Sequence, residues 1–445
     1  MLRQFGNLFR VEALRSKILI TLGLLFVYRF GNQLLLPGVD YSAMQDWLSK
    51  QADSGVSPFV GLMNALAGAN VNMPVFMSLG ILPYITSSII FSLLVKVVPS
   101  LEALSKEGAA GQRKINQYSR LFTVPICVFQ AVAICLTFFK GLAVGQGEGG
   151  AGAIGTFNFG FIAMAVIGMT AGTIFLMWIG EQITAHGIGN GVSLIITANI
   201  VSDIPTAFFR IFAQAQQDRT YILTAVIMAL VYLGVVIGVV YMTKAQRRIP
   251  IHQAKQMRGN RQVGGGRHYL PFKLNQANVM PVIFASAVLT LPTTIATAVS
   301  GGSFDFIAYG GWWWITVEIM LIVFFAYFWT SLMFQPAEIA NNLKDNGVFV
   351  PGQRPGKQTA DFLSKIMIHV TLVGAAFLAA LAVLPTIASE ALGIDRFVAQ
   401  FLGGTGILIV VGVTLDLVDQ LNAGLLNRQY DGFMSASSSR RGGRG

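Results

Sequence analysis

"WIGEQITAHGIGNGVSLII", residues 178–196, sets Glu181, His186 and three glycines (Gly187, Gly189, Gly191) between two long apolar runs. The fold turns on what those runs are. Of 445 residues, 54% are hydrophobic and 11% charged, and the mean hydropathy is +0.62. A soluble domain carries about 25% charged residues. This chain cannot cover a water-facing surface with polar groups, so it reads as a polytopic membrane protein. A phosphate-binding loop needs a strand before its glycines and a Lys-Ser/Thr pair after them. "GIGNG" has neither, so it reads as a tight reversal between two spans, with a conformational role left open.

A membrane-crossing helix needs about 20 apolar residues. Ten windows qualify: 18–37, 74–97, 119–140, 158–181, 190–212, 221–243, 278–299, 312–334, 366–389 and 398–417. In lipid these must be helices, because open strands leave backbone groups unpaired. The net charge of +11 is then a matter of location. Arg3, Arg10, Arg15 and Lys17 precede the first span, and Lys106, Arg113, Lys114 and Arg120 follow the second. The loops 244–277 and 335–365 and the tail, with Arg428, Arg440, Arg441 and Arg444, are also basic, whereas 141–157 and 300–311 have no Lys or Arg. The positive-inside rule places both termini and both large loops in the cytosol. The N-terminus is basic and lacks a clear small-residue cleavage site, so the first apolar run reads as a retained span.

Two spans are irregular. Window 74–97 is interrupted by Gly80 and Pro83, and window 278–299 by Pro281 and Pro292. Proline removes a backbone hydrogen bond, which predicts kinks there. They are the second span of the first five and the second of the last five. An odd number of spans per half gives the halves opposite topology, as in inverted-repeat proteins. No residue-level repeat is visible. The segment 57–72, "SPFVGLMNALAGANVN", is apolar and too short to cross. It reads equally as a re-entrant plug or as an interfacial helix. The charges inside spans are few: Arg29, Asp203, Glu318, Asp416 and Asp419. Cys127 and Cys135 share one apolar run without a His/Cys cluster, so they read as packing residues, and no metal or cofactor is expected. No catalytic motif stands out.

Five segments nevertheless resemble signature stretches of the SecY/Sec61-alpha family of translocase channel subunits. They are "LGILPYITSSII" (79–90), "KEGAAGQRKINQYSR" (106–120), "FLMWIGEQITAHGIGNGVSLII" (175–196), "FVPGQRPGKQTADFL" (349–363) and "FLGGTGILIVVGV" (401–413). The resemblance covers nearly the whole chain. It implies an all-α membrane protein of ten helices in two inverted halves with a re-entrant plug helix. The halves would be 18–212 and 213–417, between a cytosolic amphipathic N-terminus (1–17) and a cytosolic tail (418–445). It implies a pore ring of Ile81, Ile85, Val192, Ile196, Ile283 and Ile409. It implies a plug over about 57–70, with Ser57, Phe59, Val60, Leu62, Met63 and Leu66, and a lateral gate of spans two and three against seven and eight, with Ser87 and Gln130. It implies docking of a motor or ribosome on Arg247, Arg248 and Arg354.

The implied function is a passive protein-conducting channel of a bacterial plasma membrane. It would pass unfolded polypeptides and open sideways to release hydrophobic segments into lipid. The implied partners are SecE-like and SecG-like subunits, a SecA-like ATPase, the ribosome, a YidC-like insertase, signal peptides, unfolded chains and membrane lipids. A secondary transporter of small solutes is the alternative, since it too uses inverted repeats and broken helices. The large basic loops favour the channel, because a solute carrier needs no docking platform.

Overall fold

The computed structural model describes residues 12–40, 73–139, 154, 158–217, 220–253, 256–258, 261–263, 267–285, 288–289, 311–392 and 406–423. Each of the ten apolar windows carries helix among these residues. In chain order the helices are α1 (Glu12–Gly31), α2 (Leu82–Val97), α3 (Pro99–Lys106), α4 (Ala109–Ile134), α5 (Phe159–His186), α6 (Gly191–Gln217) and α7 (Thr220–Lys244). They continue as α8 (280–285), α9 (Trp312–Met333), α10 (Pro336–Asp345), α11 (Lys357–Leu392) and α12 (Gly406–Ala423). Among the described residues, five helices are long and apolar enough to cross a membrane. The bent pair α2–α3, turned through 97° at Val98, makes a sixth. α1, α4 and α6 match them in length with 20, 26 and 27 residues; at about 1.5 Å per residue even the shortest covers a hydrocarbon core of about 30 Å.

The chain forms two compact units. The first comprises Met1–Phe209 and Ile409–Gly445, the second Arg210–Leu408. In the first, α5 buries Phe161, Ala165, Met169, Leu176, Ile179 and Ile183, spaced three, four or seven apart along one stripe. Part of this stripe joins Leu36, Leu79, Ile134 and Phe139 in a continuous apolar core. Cys127 and Cys135 are buried free thiols. In the second unit the loop 244–277 contains an antiparallel hairpin of β1 (Gln246–Gln253) and β4 (Arg267–Lys273), with β2 (Gln256–Arg258) and β3 (Arg261–Val263) as a smaller pair beyond it. The short strand β5 (Val348–Phe349) pairs with β1, giving the order β4-β1-β5. The two cytosolic loops of the sequence reading are therefore one folded platform. Ile249, Phe272, Val350, Leu363 and Ile366 form its core at the start of α11.

The proline-interrupted spans do not kink where the sequence predicts. Residues 73–81 are non-helical, and Pro83 stands in the first turn of α2. Residues 274–279 are likewise non-helical, and Pro281 is the second residue of α8. A proline in the first turn costs no hydrogen bond, because that N–H has no intrahelical partner. These prolines start helices. Pro292 lies outside the described residues.

Candidate functional site

The stretch 178–196 is a braced corner. α5 runs to His186, so the turn is shorter than the apolar pattern suggests, and α6 starts at Gly191. Asn190 Oδ1 accepts from the N–H groups of Val192 (3.1 Å) and Ser193 (3.4 Å), an N-cap for α6. Thr184 Oγ1 accepts from Gly191 N–H at 2.9 Å. From the first span, buried Thr21 accepts the Ile188 N–H at 3.2 Å. Ile188 packs with Leu14 and Ile18 of α1 and with Leu417 and Leu421 of α12. Gly189 has φ +81°, and a side chain on Gly191 would strike the Gly180 carbonyl. The corner holds ends of four spans together at the first residues of α6.

Two ring candidates follow at once. Val192 is half-buried one residue into α6, and Ile196 is buried one turn later. Ile81 is fully buried at the residue before α2, and its carbonyl accepts from the Ile85 N–H at 3.1 Å, so half-buried Ile85 lies in the first turn. Ile409 is buried on α12. These five belong to the first unit and Ile283, half-buried on α8, to the second. The plug candidates Ser57, Phe59, Val60, Leu62, Met63 and Leu66, with the whole of 57–70, lie outside the described residues.

Of the gate candidates, Ser87 is fully buried and donates to the Ser119 carbonyl at 2.6 Å, joining spans two and three. Gln130, on the same third span, has a buried Oε1 without a hydrogen-bond partner among the described residues. Sequence reasoning missed the ion pair Arg120–Glu181, Nε to Oε1 at 2.6 Å, which ties α4 to α5. Its signal was a basic residue near the start of one span and an acidic residue near the end of the next.

The docking candidates sit on the platform. Arg247 and Arg248 are exposed at the start of β1, and Arg354 is exposed just beyond β5. Successive strand residues point to opposite faces, so both faces of the hairpin are solvated at this point. None of the three pairs with a carboxylate among the described residues. On α3, Lys106 lies 2.7 Å from Glu102, one turn earlier. Among the described residues no three His, Cys, Asp or Glu side chains cluster as metal ligands.

Similarity to known proteins agrees with this architecture. A family model described as SecY matches residues 75–418. The "Protein translocase subunit SecY" of Streptomyces coelicolor is 40% identical over 451 residues, covering 98% of this chain and 100% of its own. A solved structure described as "The structure of a protein conducting channel" matches with a TM-score of 0.62 at 21% identity, covering 92% of both chains. Sec61 in the canine ribosome–channel complex from the endoplasmic reticulum matches with a TM-score of 0.59 at 19% identity, again over 92% of both. With a translocase relative matched end to end and the same fold in two solved channels, this multi-span membrane protein belongs to the SecY family.

Proposed function

We propose that the chain is the protein-conducting channel of a Sec translocase in a bacterial plasma membrane, with both termini in the cytosol. The observation that carries this reading is its 40% identity, over 98% of the chain, with a translocase subunit. The six aliphatic residues Ile81, Ile85, Val192, Ile196, Ile283 and Ile409 form the constriction. Branched aliphatic side chains close around a polypeptide of any sequence without specific hydrogen bonds, and an apolar constriction resists hydration when idle. Spans two and three move against seven and eight, so that a segment of about 20 apolar residues partitions into lipid while polar segments pass through. Ser87 and Gln130 give this gate its polar members. The segment 57–70 plugs the non-cytosolic side.

The chain is passive, and energy comes from partners. A SecA-like ATPase or a ribosome docks on the arginine-bearing platform, SecE-like and SecG-like subunits brace the spans, and a YidC-like insertase receives lateral cargo. The residue blocks are 18–212 and 213–417, flanked by a cytosolic N-terminus and tail. Family membership favours this channel over a solute transporter. The test is reconstitution in vesicles with a single-span partner and a motor ATPase. An unfolded, signal-bearing protein becomes protease-protected if the reading holds. Uptake of small solutes without protein transport contradicts it. Deleting 57–70 loosens signal discrimination while transport continues; a complete block in an assembled complex contradicts the plug assignment.

A further inference from the structure

The two halves share a repeat that is written in the backbone more than in the side chains. Phe76, Gly80, Ile81, Pro83 and Ile85 correspond, without insertion, to Leu274, Asn278, Val279, Pro281 and Ile283. Three features recur at the corresponding positions. Phe76 N–H donates to Leu34 O at 3.0 Å, just past the first span; Leu274 N–H donates to Ala245 O at 3.0 Å, just past the sixth. Gly80 has φ +57° and Asn278 φ +51°, and Asn278 is the one non-glycine residue at positive φ among the described residues. A helix then starts at the proline. Ile85 N–H donates to Ile81 O at 3.1 Å, and Ile283 N–H to Val279 O at 3.3 Å.

The carbonyls match as well. A Cβ on Gly172 would strike the carbonyl of Phe76, and a Cβ on Gly374 would strike the carbonyl of Leu274. Gly172 stands at the midpoint of α5, the fourth span, and Gly374 at the midpoint of α11, the ninth. In each half, then, a non-helical segment reaches mid-span depth and rests its carbonyl on a bare patch of helix. A left-handed residue then turns it into a new helix whose first turn carries the ring isoleucine.

We infer that Gly172 with Gly80 and Gly374 with Asn278 are positioning residues of the seal, fixing the depth and direction at which Ile85 and Ile283 are presented. The inference rests on the channel reading and on the ring assignment. The mid-span glycine sets depth, because only a residue without Cβ lets a backbone carbonyl this close. The left-handed residue sets direction, because φ near +55° is open to Gly and Asn but strained for a β-branched side chain.

The test is the idle ion current of the purified translocase complex in planar bilayers. The exchanges Gly80→Asn and Asn278→Gly, alone or together, leave the current within about twofold of the parent, since both residues tolerate this region. Gly80→Val and Asn278→Val raise it about fivefold or more, as backbone strain at the left-handed position redistributes the ring. Gly172→Ala and Gly374→Ala act in the same direction, while Gly234→Ala, where a Cβ meets nothing, does not. Where a valine variant does not accumulate, the alanine at that site decides on the same terms. If Ile85→Ser and Ile283→Ser leak but the valine and alanine variants, present at normal levels, conduct like the parent, the inference is overturned and the ring assignment stands. If the serine variants do not leak either, the ring assignment fails first.

Discussion

The first unit and the second lead their chains to the same helix start by ladders of very different length. In the first, Leu35 meets Val75 in an isolated antiparallel bridge. In the second, β1 and β4 pair over seven residues from His252↔Arg267 to Gln246↔Lys273, and the non-helical segment begins immediately after. One bridge is enough to hold the segment before Pro83. The longer ladder before Pro281 therefore exceeds what the span requires. What it adds is a paired hairpin with Arg247 and Arg248 exposed on its two faces and, through β5, a tether for the loop that carries Arg354. Its root is a dry core, with Leu363 fully buried. The comparison separates two duties. On the proposed reading, the part common to both units serves the constriction and the part peculiar to the second serves a partner.

The largest effect expected from breaking this separation is at Arg354. Arg354→Glu lowers motor-driven protein export into inverted vesicles by about tenfold or more, the scale of reversing a charge-assisted contact, while the idle ion current stays at the parent value. Arg354→Lys falls between, because the ammonium keeps the charge and loses the bidentate fork. Export at parental rate in both variants would reduce Arg354 to a topology determinant. Next comes the double change Arg247→Glu, Arg248→Glu, which weakens ribosome affinity by roughly tenfold at low salt and makes the residual binding less salt-sensitive, because fewer attractive charges remain to be screened. Equal affinity in a binding titration would detach the hairpin from that partner.

A smaller effect sharpens the comparison from inside the platform. Leu363→Ala removes a fully buried side chain and costs the platform about 2–4 kcal/mol. Proteolysis of the 244–277 loop then accelerates, with no change in ion current. A leak in this variant would show that platform and constriction are not separable. The smallest effect belongs to the first unit. Ser87→Ala removes the hydroxyl that reaches the Ser119 carbonyl, worth about 1 kcal/mol, and lowers the thermal midpoint of the detergent-solubilised complex slightly. An unchanged midpoint would mean that spans two and three are held by packing alone.

The spans were legible because hydropathy is a bulk property that survives any detail of packing. Their internal breaks were not. Pro83 and Pro281 are compatible with a kink as much as with a helix start, and the choice is made by Gly80 and Asn278, whose left-handed conformation no composition argument exposes. The platform escaped for a different reason. β1 reads "QRRIPIHQ", too charged and too proline-bearing for a strand pattern, and β5 has only two residues. Tertiary pairing, not propensity, makes them strands. The ring isoleucines were named through family motifs. Nothing in spacing or hydropathy alone distinguishes Ile85 or Ile283 from the many other aliphatic residues of their spans.

The central claim is that branched aliphatic residues in the first turn after each break seal the membrane when no chain is passing. Its most direct measurement is the ion current of single translocase complexes in planar bilayers with Ile85→Ser, Ile283→Ser and the two combined. The account predicts a steady leak in each single variant and a larger one in the double, with partner-driven export retained. Parental conductance in the double variant, at normal assembly, would contradict it.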